Sequence, residues 1–169
     1  SLSKRDFSRV IRPLEKFGVN FKSNNNKLPL FIKGNEYLRP ITHNETKGSA
    51  QVKTAIMLAS LNTPGTTIIK SVPSRDHTEL MFRNCLKIPI SISKKKCHVI
   101  KVNGLNNYKG FNYKIPGDIS SAAFFIVLTL LAKDSKMVIK NINVNKSRNG
   151  VIEILKRMNG KIYLVNKKK

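Results

Sequence analysis

The sequence predicts an α/β fold of the inside-out kind, in which apolar helices form the core and strands surround them. Three observations support this prediction. Segments repeat with a period of about seventy residues, a helical stretch starting at Asp118 is apolar on all sides, and β-prone stretches follow the helical ones. A helix without a polar face is typical of full burial. A fixed repeat indicates stacked copies of one supersecondary unit.

The repeat appears in two sets of segments. Three segments open with Ser and Arg, run through a helical pattern and end in a β-prone stretch, and their arginines, Arg5, Arg75 and Arg148, are 70 and 73 residues apart. Two further helical stretches carry Ser49 and Ser120, which are 71 residues apart, and each is followed by a β-prone stretch. The predicted unit is therefore helix, strand, helix and two strands, with one more strand leading in.

The first helix is predicted from apolar residues at helical spacing, namely Phe7, Val10, Ile11, Leu14 and Phe17. Ser3 and Asp6 have the spacing of a capping box at its start, and Gly18 is expected to end it. Pro13 lies inside and is expected to kink the helix or end it early.

Strands and further helices follow in order. LPLFIK, residues 28–33, is predicted as a strand after the turn SNNNK, and the stretch Thr54–Ser60 is predicted as a nearly fully buried helix. GTTIIKSV is the next strand, and IPISIS and HVIKV are two more, joined by a loop of three lysines. The helix from Asp118 is expected to be fully buried and to be followed by the β-prone SKMVIKNINV.

The charge of the chain predicts an anionic partner but does not identify it. The 32 basic and 9 acidic residues give a net charge of +23, which attracts nucleic acid, anionic lipid or phosphorylated substrates alike. The basic residues are 24 Lys and 8 Arg, and there are 18 Asn and 18 Ile. Because nucleic-acid readers depend on Arg, this excess indicates a general residue bias more than a dedicated binding patch.

Other features limit the class of protein. Cys85 and Cys97 are too few for a disulfide scaffold and lack zinc spacing, and the three histidines are scattered, so no metal site is predicted. The apolar run Ala122–Ala132 is too short to cross a bilayer. The first ten residues contain no signal-peptide core and no initiator Met, so we expect a cytoplasmic protein whose sequence here begins mid-chain.

The helix starts carry the candidate binding chemistry. A helix N-terminus offers unpaired N–H groups to an anion, and Ser49 and Gln51 add side-chain donors there. The alternative is that Ser49 is a simple N-cap and Gln51 faces water. Arg75 opposes the helix dipole unless an anion neutralises it, and the same holds for Arg5, whereas Arg148 can also be simply solvated. Asp118 has the pattern of an N-cap, and no catalytic acid–base pair or nucleophile is predicted.

Four ordered stretches, SKRDFSRVIRPLEKFG, GSAQVKTAIMLASLNTPGTTII, SRDHTELM and PGDISSAAFFIV, resemble the 5-enolpyruvylshikimate-3-phosphate synthase family across essentially the whole chain. The sister family, the UDP-N-acetylglucosamine enolpyruvyl transferases, does not usually carry SAQVK or SRDHTE. The resemblance implies two domains of three βαβαββ units, with residues 1–115 in the first domain and 116–169 in the second. It also implies transfer of the enolpyruvyl group from phosphoenolpyruvate to the 5-hydroxyl of shikimate 3-phosphate.

The resemblance assigns substrate-binding residues but no catalytic ones. Ser49, Ala50 and Gln51 match the segment that meets the phosphate of shikimate 3-phosphate, with Gln51 also reaching toward phosphoenolpyruvate. Arg75 matches an arginine against shikimate 3-phosphate, and Arg5 matches one that binds phosphoenolpyruvate. No cofactor, metal, nucleic acid or membrane is implied, and the complete protein is expected to be a cytoplasmic monomer.

The chain also departs from the family pattern. Asp6 replaces a usual Pro and could compete for Arg5, and NETKG precedes SAQ where an apolar residue or Pro is usual. The family's Lys-Ser, Asn-x-Gly-Thr and Lys-Glu motifs have no counterpart, so we interpret the chain as a central fragment that is inactive alone. A basic nucleic-acid-binding module and a non-catalytic relic of the same fold are the alternatives.

Overall fold

A computed structural model of the chain describes residues 2–94, 97–105 and 107–165. Its contacts divide the chain into two compact units, Ser1–Phe111 and Asn112–Lys169. The first unit contains a short 3₁₀ helix, Leu2–Lys4, then α1 (Ser8–Phe17), β1 (Asn20–Asn24), β2 (Lys27–Lys33), β3 (Thr42–Glu45), α2 (Ala50–Ser60), β4 (Thr66–Ser71), α3 (His77–Asn84), β5 (Ile90–Lys94) and β6 (His98–Asn103). The second contains α4 (Ile119–Leu131) and α5 (Gly150–Arg157).

The elements from β3 to β6 form one complete βαβαββ unit, which is the unit that the sequence predicts: helix, strand, helix and two strands with one more strand leading in. They build a four-stranded sheet in the order β3-β4-β6-β5. β3 and β4 are parallel and are connected by α2, because parallel neighbours need a crossover. The β4–β6 and β5–β6 pairs are antiparallel. The lysine loop between β5 and β6 falls partly on Lys95 and Lys96, which lie outside the described residues.

β1 and β2 form a separate antiparallel hairpin, and β2 confirms the strand predicted at LPLFIK. The predicted turn before it is also present. Asn25 and Asn26 have φ angles of 50° and 57°, the left-handed region that two-residue hairpin turns require. Asn tolerates this conformation better than most residues, so the asparagine run determines the turn.

The core of the first unit lies between the helices and the inner face of the four-stranded sheet. From the helices it includes Phe17, Val52, Ile56, Met57 and Phe82, and from the strands Ile69, Ile100 and Val102, all essentially buried. α2 is buried along most of its length, although Leu58 is half exposed, which agrees with the nearly buried helix predicted there. The helices of this unit therefore provide the apolar interior, as expected of an inside-out α/β fold.

The start of α1 differs from the prediction. The helix begins at Ser8 and not at the proposed capping box, because Leu2–Lys4 forms a separate 3₁₀ helix and Asp6 bonds forward to Ser8. Nor does Pro13 end the helix, which continues to Phe17. Gly18 does end it, as predicted, with a φ of 109° and an N–H bonded to the carbonyls of Glu15 and Leu14.

The second unit contains less strand than the sequence predicts. Among its described residues no regular strand forms at SKMVIKNINV or at the end of the third Ser-Arg segment, and one isolated parallel bridge joins Gly117 to Ile142. A β-prone stretch becomes a strand only when a neighbour pairs with its N–H and C=O groups. Within residues 112–165, pairing along these stretches is limited to the bridge at Gly117, which is too short to make a strand.

The prediction that α4 is fully buried is wrong. Ile119 and Ala122 are buried with Ile152 of α5, but other apolar side chains of α4 face outward. The exposed ones are Phe124, Phe125, Leu128 and Leu131, with exposures of 79%, 56%, 62% and 81%. The second unit therefore does not contain enough packing surface to bury all the apolar side chains of α4.

Candidate functional site

The N-terminus of α2 is shaped by Gly48 and Ser49. Gly48 has a φ of 66°, which turns the chain into the helix where a side chain would be strained. Ser49 is the N-cap, and its Oγ accepts a hydrogen bond of 3.3 Å from the N–H of Val52. Accepting this bond uses only an oxygen lone pair, so the hydroxyl proton of Ser49 is still able to donate.

Ala50 and Gln51 provide the next two donors. Their backbone N–H groups belong to the first turn, which has no intrahelical acceptor, and no hydrogen-bond partner for them occurs among the described residues. Gln51 is exposed and Ala50 is half-buried. Ser49, Ala50 and Gln51 therefore present a hydroxyl and two amides in succession, at the positive end of a helix. Such an array is suited to a phosphate or carboxylate.

Glu45, at the end of β3, lies beneath this array and is buried. Its Oε1 accepts the backbone N–H groups of Lys47 at 2.9 Å and Ser49 at 3.4 Å. Arg9 of α1 donates to the same oxygen at 3.5 Å, and Nε2 of His43 is 3.8 Å from Oε2. One carboxylate thus orders the loop that leads into α2 and places a negative charge next to the free donors.

His43 belongs to the same cluster and is half-buried. Burial lowers the pKa of His43 below its ordinary value of 6.5, and the Glu45 carboxylate opposes this shift only in part. The imidazole therefore favours its neutral form near neutral pH.

Lys53, one turn further along α2, is buried with 1% of its side chain exposed. Its ammonium lies 2.6 Å from Oε1 of Glu79 on α3. It also donates to Oγ of Ser74 at 3.0 Å and to the backbone carbonyl of Arg75 at 2.7 Å. These contacts bring the segment that carries Arg75 against the helix that carries Ser49 and Gln51. Arg75 itself is exposed.

Arg5 is the predicted site residue that the structure does not join to the others. It lies between the 3₁₀ helix and α1, and within the described chain no hydrogen bond or ion pair connects it to Ser49, Gln51 or Arg75. The neighbouring Asp6 is bonded to Ser8, whose N–H and Oγ donate to its carboxylate at 2.7 and 2.9 Å. Asp6 is therefore held by Ser8, which limits the competition for Arg5 that the sequence suggested.

In the second unit, Arg148 is engaged by the chain itself and is not simply solvated. It donates to the Asp118 carboxylate through Nε at 3.1 Å and Nη2 at 3.4 Å, and to Oγ of Ser120 at 2.8 Å. The backbone N–H of Ser120 and, after it, the Arg148 guanidinium lower the pKa of Asp118. Asp118 occupies the N-cap position of α4, as predicted, but its carboxylate binds the residue ahead of α5.

Two residues with structural roles beside the site, Glu45 and Lys53, were not identified from the sequence. Glu45 follows an unremarkable polar stretch, and Lys53 stands in an apolar helix without a partner nearby in sequence. The placement of a lysine within an otherwise apolar helical face was the available signal for Lys53, because a buried cation needs a partner. Across residues 2–94, 97–105 and 107–165, no three His, Cys, Asp or Glu side chains are grouped as a metal ion requires. In the same ranges, no helix has the length and apolar character needed to span a membrane.

Comparisons with known proteins place the chain in a family. The family model for EPSP synthase (3-phosphoshikimate 1-carboxyvinyltransferase) matches residues 1–168. The chain is 40% identical over 171 residues to the 3-phosphoshikimate 1-carboxyvinyltransferase of Novosphingobium aromaticivorans, covering 99% of this chain and 39% of the relative. It is 43% identical over 169 residues to that of Ruthia magnifica, covering 99% of this chain and 38% of the relative.

The fold agrees with the sequence comparison. A solved structure of EPSP synthase from Acinetobacter baumannii superposes with a TM-score of 0.86 at 34% identity, covering 100% of this chain and 38% of that structure. The chain thus spans about two fifths of the length of the relatives it matches. Because the family model covers nearly every residue, this chain belongs to the EPSP synthase (3-phosphoshikimate 1-carboxyvinyltransferase) family.

Proposed function

We propose that this chain is part of an enzyme that transfers the enolpyruvyl group of phosphoenolpyruvate to the 5-hydroxyl of shikimate 3-phosphate, releasing phosphate. The observation that carries the proposal is the anion-binding array at the start of α2. Ser49 offers a hydroxyl there, Ala50 and Gln51 offer free N–H groups, and Lys53 holds the Arg75 segment against the same helix. Both proposed substrates are multiply charged anions, which such donors stabilise.

Each residue has a role in this proposal. Ser49, Ala50 and Gln51 bind the phosphate of shikimate 3-phosphate at the helix N-terminus, and Arg75 provides a cation against the same substrate. Gln51 also reaches toward phosphoenolpyruvate. Arg5 binds the carboxylate or phosphate of phosphoenolpyruvate, for which a planar guanidinium is suited. Because Arg5 is exposed and carries no ion pair in the described part of the chain, its guanidinium is available to a ligand.

The organisation of the complete protein belongs to the same proposal. Residues 1–115 correspond to the latter part of the first domain and residues 116–169 to the first part of the second. Because the chain spans about two fifths of its relatives, its residues supply substrate binding while the acid–base groups come from the remainder of the enzyme. A cytoplasmic location, a monomeric state and the absence of nucleic-acid partners rest on the resemblance alone.

The first test is binding of shikimate 3-phosphate to the purified chain by isothermal titration calorimetry and thermal shift. We expect shikimate 3-phosphate to raise the melting temperature, and the chain alone to release no phosphate from phosphoenolpyruvate. Arg75→Gln should lower the affinity about tenfold, because a charge-assisted hydrogen bond is lost. Arg83→Gln, at the exposed end of α3, is the matched control and should bind as the wild type does.

Titration of the same chain with a duplex oligonucleotide tests the alternative, a nucleic-acid-binding function. A nucleic-acid-binding module would bind the duplex tightly, with an affinity that falls steeply with salt, and would ignore shikimate 3-phosphate. That outcome, or equal losses from Arg75→Gln and Arg83→Gln, would contradict the proposed site. Turnover by the isolated chain would contradict its role as a substrate-binding portion.

A further inference from the structure

Lys53 has an environment unlike that of any other described lysine in the first unit. Its side chain is buried, and its ammonium has three acceptors, namely Oε1 of Glu79, Oγ of Ser74 and the carbonyl oxygen of Arg75. An ammonium has three N–H donors, so every one of them is used. This full set of acceptors is what allows a charge to remain in the interior.

The three acceptors come from one short segment of the chain. Ser74 and Arg75 lie just before α3, and Glu79 lies in its first turn. Lys53 lies on α2, where its own N–H donates to the carbonyl of Ser49 at 3.1 Å. A single side chain therefore links the helix start that carries Ser49 and Gln51 to the backbone from which Arg75 projects.

The bond to the Arg75 carbonyl is the informative one. A buried ion pair between Lys53 and Glu79 would stabilise the contact between α2 and α3 without it. By also binding the carbonyl of Arg75 and the hydroxyl of Ser74, the ammonium fixes the backbone of a segment whose arginine is exposed. A fixed backbone limits where the guanidinium can reach, and anion binding depends closely on such placement.

We propose that Lys53, whose charge is balanced by Glu79, is a positioning residue that holds Arg75 at a set distance from the anion-binding array of Ser49, Ala50 and Gln51. This inference rests on the proposed function, since it explains how the start of α2 and the segment that carries Arg75 are held together as one binding site. Neither Lys53 nor Glu79 contacts the substrate in this scheme, because both are buried. The effect of Lys53 on binding is transmitted through the backbone at Ser74 and Arg75.

A second link between α2 and α3 provides a matched control. The hydroxyls of Thr54 and Thr78 share a hydrogen bond of 2.6 Å, which connects the same two helices without touching residues 74 and 75. If the contact between α2 and α3 were all that mattered, loss of the Thr54 bond would affect ligand binding as loss of the Lys53 bonds does. The positioning role predicts that only the Lys53 bonds matter for binding.

The experiment compares the wild-type chain with Lys53→Met/Glu79→Leu, Glu79→Gln and Thr54→Val. Affinities for shikimate 3-phosphate and inorganic phosphate are measured by titration calorimetry, and stability by thermal unfolding. We expect the double variant to keep much of its stability, because an apolar pair can replace a buried ion pair. It should nevertheless lose about tenfold in affinity for shikimate 3-phosphate.

Glu79→Gln and Thr54→Val should bind within about twofold of the wild type. In Glu79→Gln the amide still offers an oxygen to Lys53, whose bonds to Ser74 and Arg75 remain, and Thr54→Val does not touch that segment. Should the double variant not fold, Lys53→Gln replaces it, because its amide can pair with Glu79 but is one atom too short to reach all three acceptors. Equal affinity in the wild type and the variants lacking the lysine would overturn the inference, as would an equal loss in Thr54→Val.

Hydrogen exchange separates this inference from the proposed function. In the double variant, peptides covering residues 72–77 should exchange faster than in the wild type or in Thr54→Val. A wild-type chain that binds no shikimate 3-phosphate would refute the proposed function, and the exchange comparison would still decide the positioning. Unchanged exchange in residues 72–77 would overturn the positioning role whatever the ligand.

Discussion

At the scale of single residues, Ser49 combines the two interpretations that its sequence left open. It is an N-cap, since its Oγ accepts from the N–H of Val52. The same oxygen retains a proton to donate, so capping the helix and binding an anion do not exclude each other. Glu45 has the opposite effect, because its buried negative charge lies next to the N–H of Ser49 and repels an anion bound there.

We predict that Glu45→Gln strengthens phosphate binding at the start of α2. The amide oxygen can still accept from Lys47 and Ser49, so the loop keeps its order while the repelling charge is removed. Two unit charges about 4 Å apart interact by about 1 kcal/mol in bulk water and by more near a protein surface, so we expect a gain in affinity of at least about fivefold. Calorimetric titration with inorganic phosphate and with shikimate 3-phosphate measures the change.

Glu15→Gln is the control, because Glu15 is an exposed carboxylate on α1 that changes the net charge equally. It should alter the affinity little, since an exposed charge is screened. An unchanged or weaker affinity in Glu45→Gln would show that Glu45 acts only by ordering the loop.

At the scale of the elements, sequence patterns predict what is locally encoded. The hairpin turn at Asn25 and Asn26, the end of α1 at Gly18 and the strands of the βαβαββ unit all follow from residues within a few positions of each other. The predicted start of α1 was wrong because Asp6 accepts a hydrogen bond from Ser8, where the helix begins, and does not form a capping box with Ser3. Short polar side chains can form either arrangement, and the sequence pattern does not distinguish the two. The missing strands of the second unit depend on neighbours that local patterns do not contain.

The start of α4 yields a prediction about acid stability. The pKa of Asp118 is lower in the folded chain than its ordinary value of 3.8, first through the N–H of Ser120 and then through Arg148. A lowered pKa means that the carboxylate adds stability above the ordinary value, and that this stability is lost as the pH falls through the folded pKa. Asp118→Asn should therefore lose less stability than the wild type when the pH falls below about 4.

The measurement is chemical unfolding from about pH 6 to about pH 2, together with an NMR titration of the Asp118 carboxyl carbon. Arg148→Gln should raise the pKa of Asp118 only in part, because Ser120 provides the larger cause. Asp134→Asn removes an exposed carboxylate of the same unit that has no ion pair in the described residues, and serves as the control. An acid profile of Asp118→Asn that matches the wild type would refute the prediction.

At the scale of the whole molecule, net charge and exposed apolar surface have opposite effects on self-association of the chain. The net charge of +23 makes copies of the chain repel one another. The outward face of α4, formed by Phe124, Phe125, Leu128 and Leu131, favours association, because contiguous exposed apolar surface is unusual on a monomer. The relatives are more than twice as long as this chain, so a family member contains further polypeptide able to cover such a face.

We predict that the isolated chain associates with itself through α4, and that association increases with salt as the charge repulsion is screened. Phe124→Gln/Leu131→Gln should reduce the association measured by sedimentation velocity, with little effect on the melting temperature, because both side chains are exposed. Phe31→Gln/Ile32→Gln removes two exposed apolar residues of β2 and is the control. Equal association in both double variants and the wild type would exclude the α4 face.

Sequence patterns were enough to predict the order of most helices and strands, the repeat of about seventy residues and the family, because each is written in short patterns of spacing and residue type. They also identified Ser49, Gln51 and Arg75 as candidates, since helix starts with such residues are recognisable locally. The bonds from Lys53 to Arg75 and Glu79, the buried carboxylate of Glu45 and the exposed face of α4 became visible only in the folded chain. Ion pairs join residues far apart in sequence, and burial depends on which surfaces meet, so neither is encoded in any single stretch of the chain.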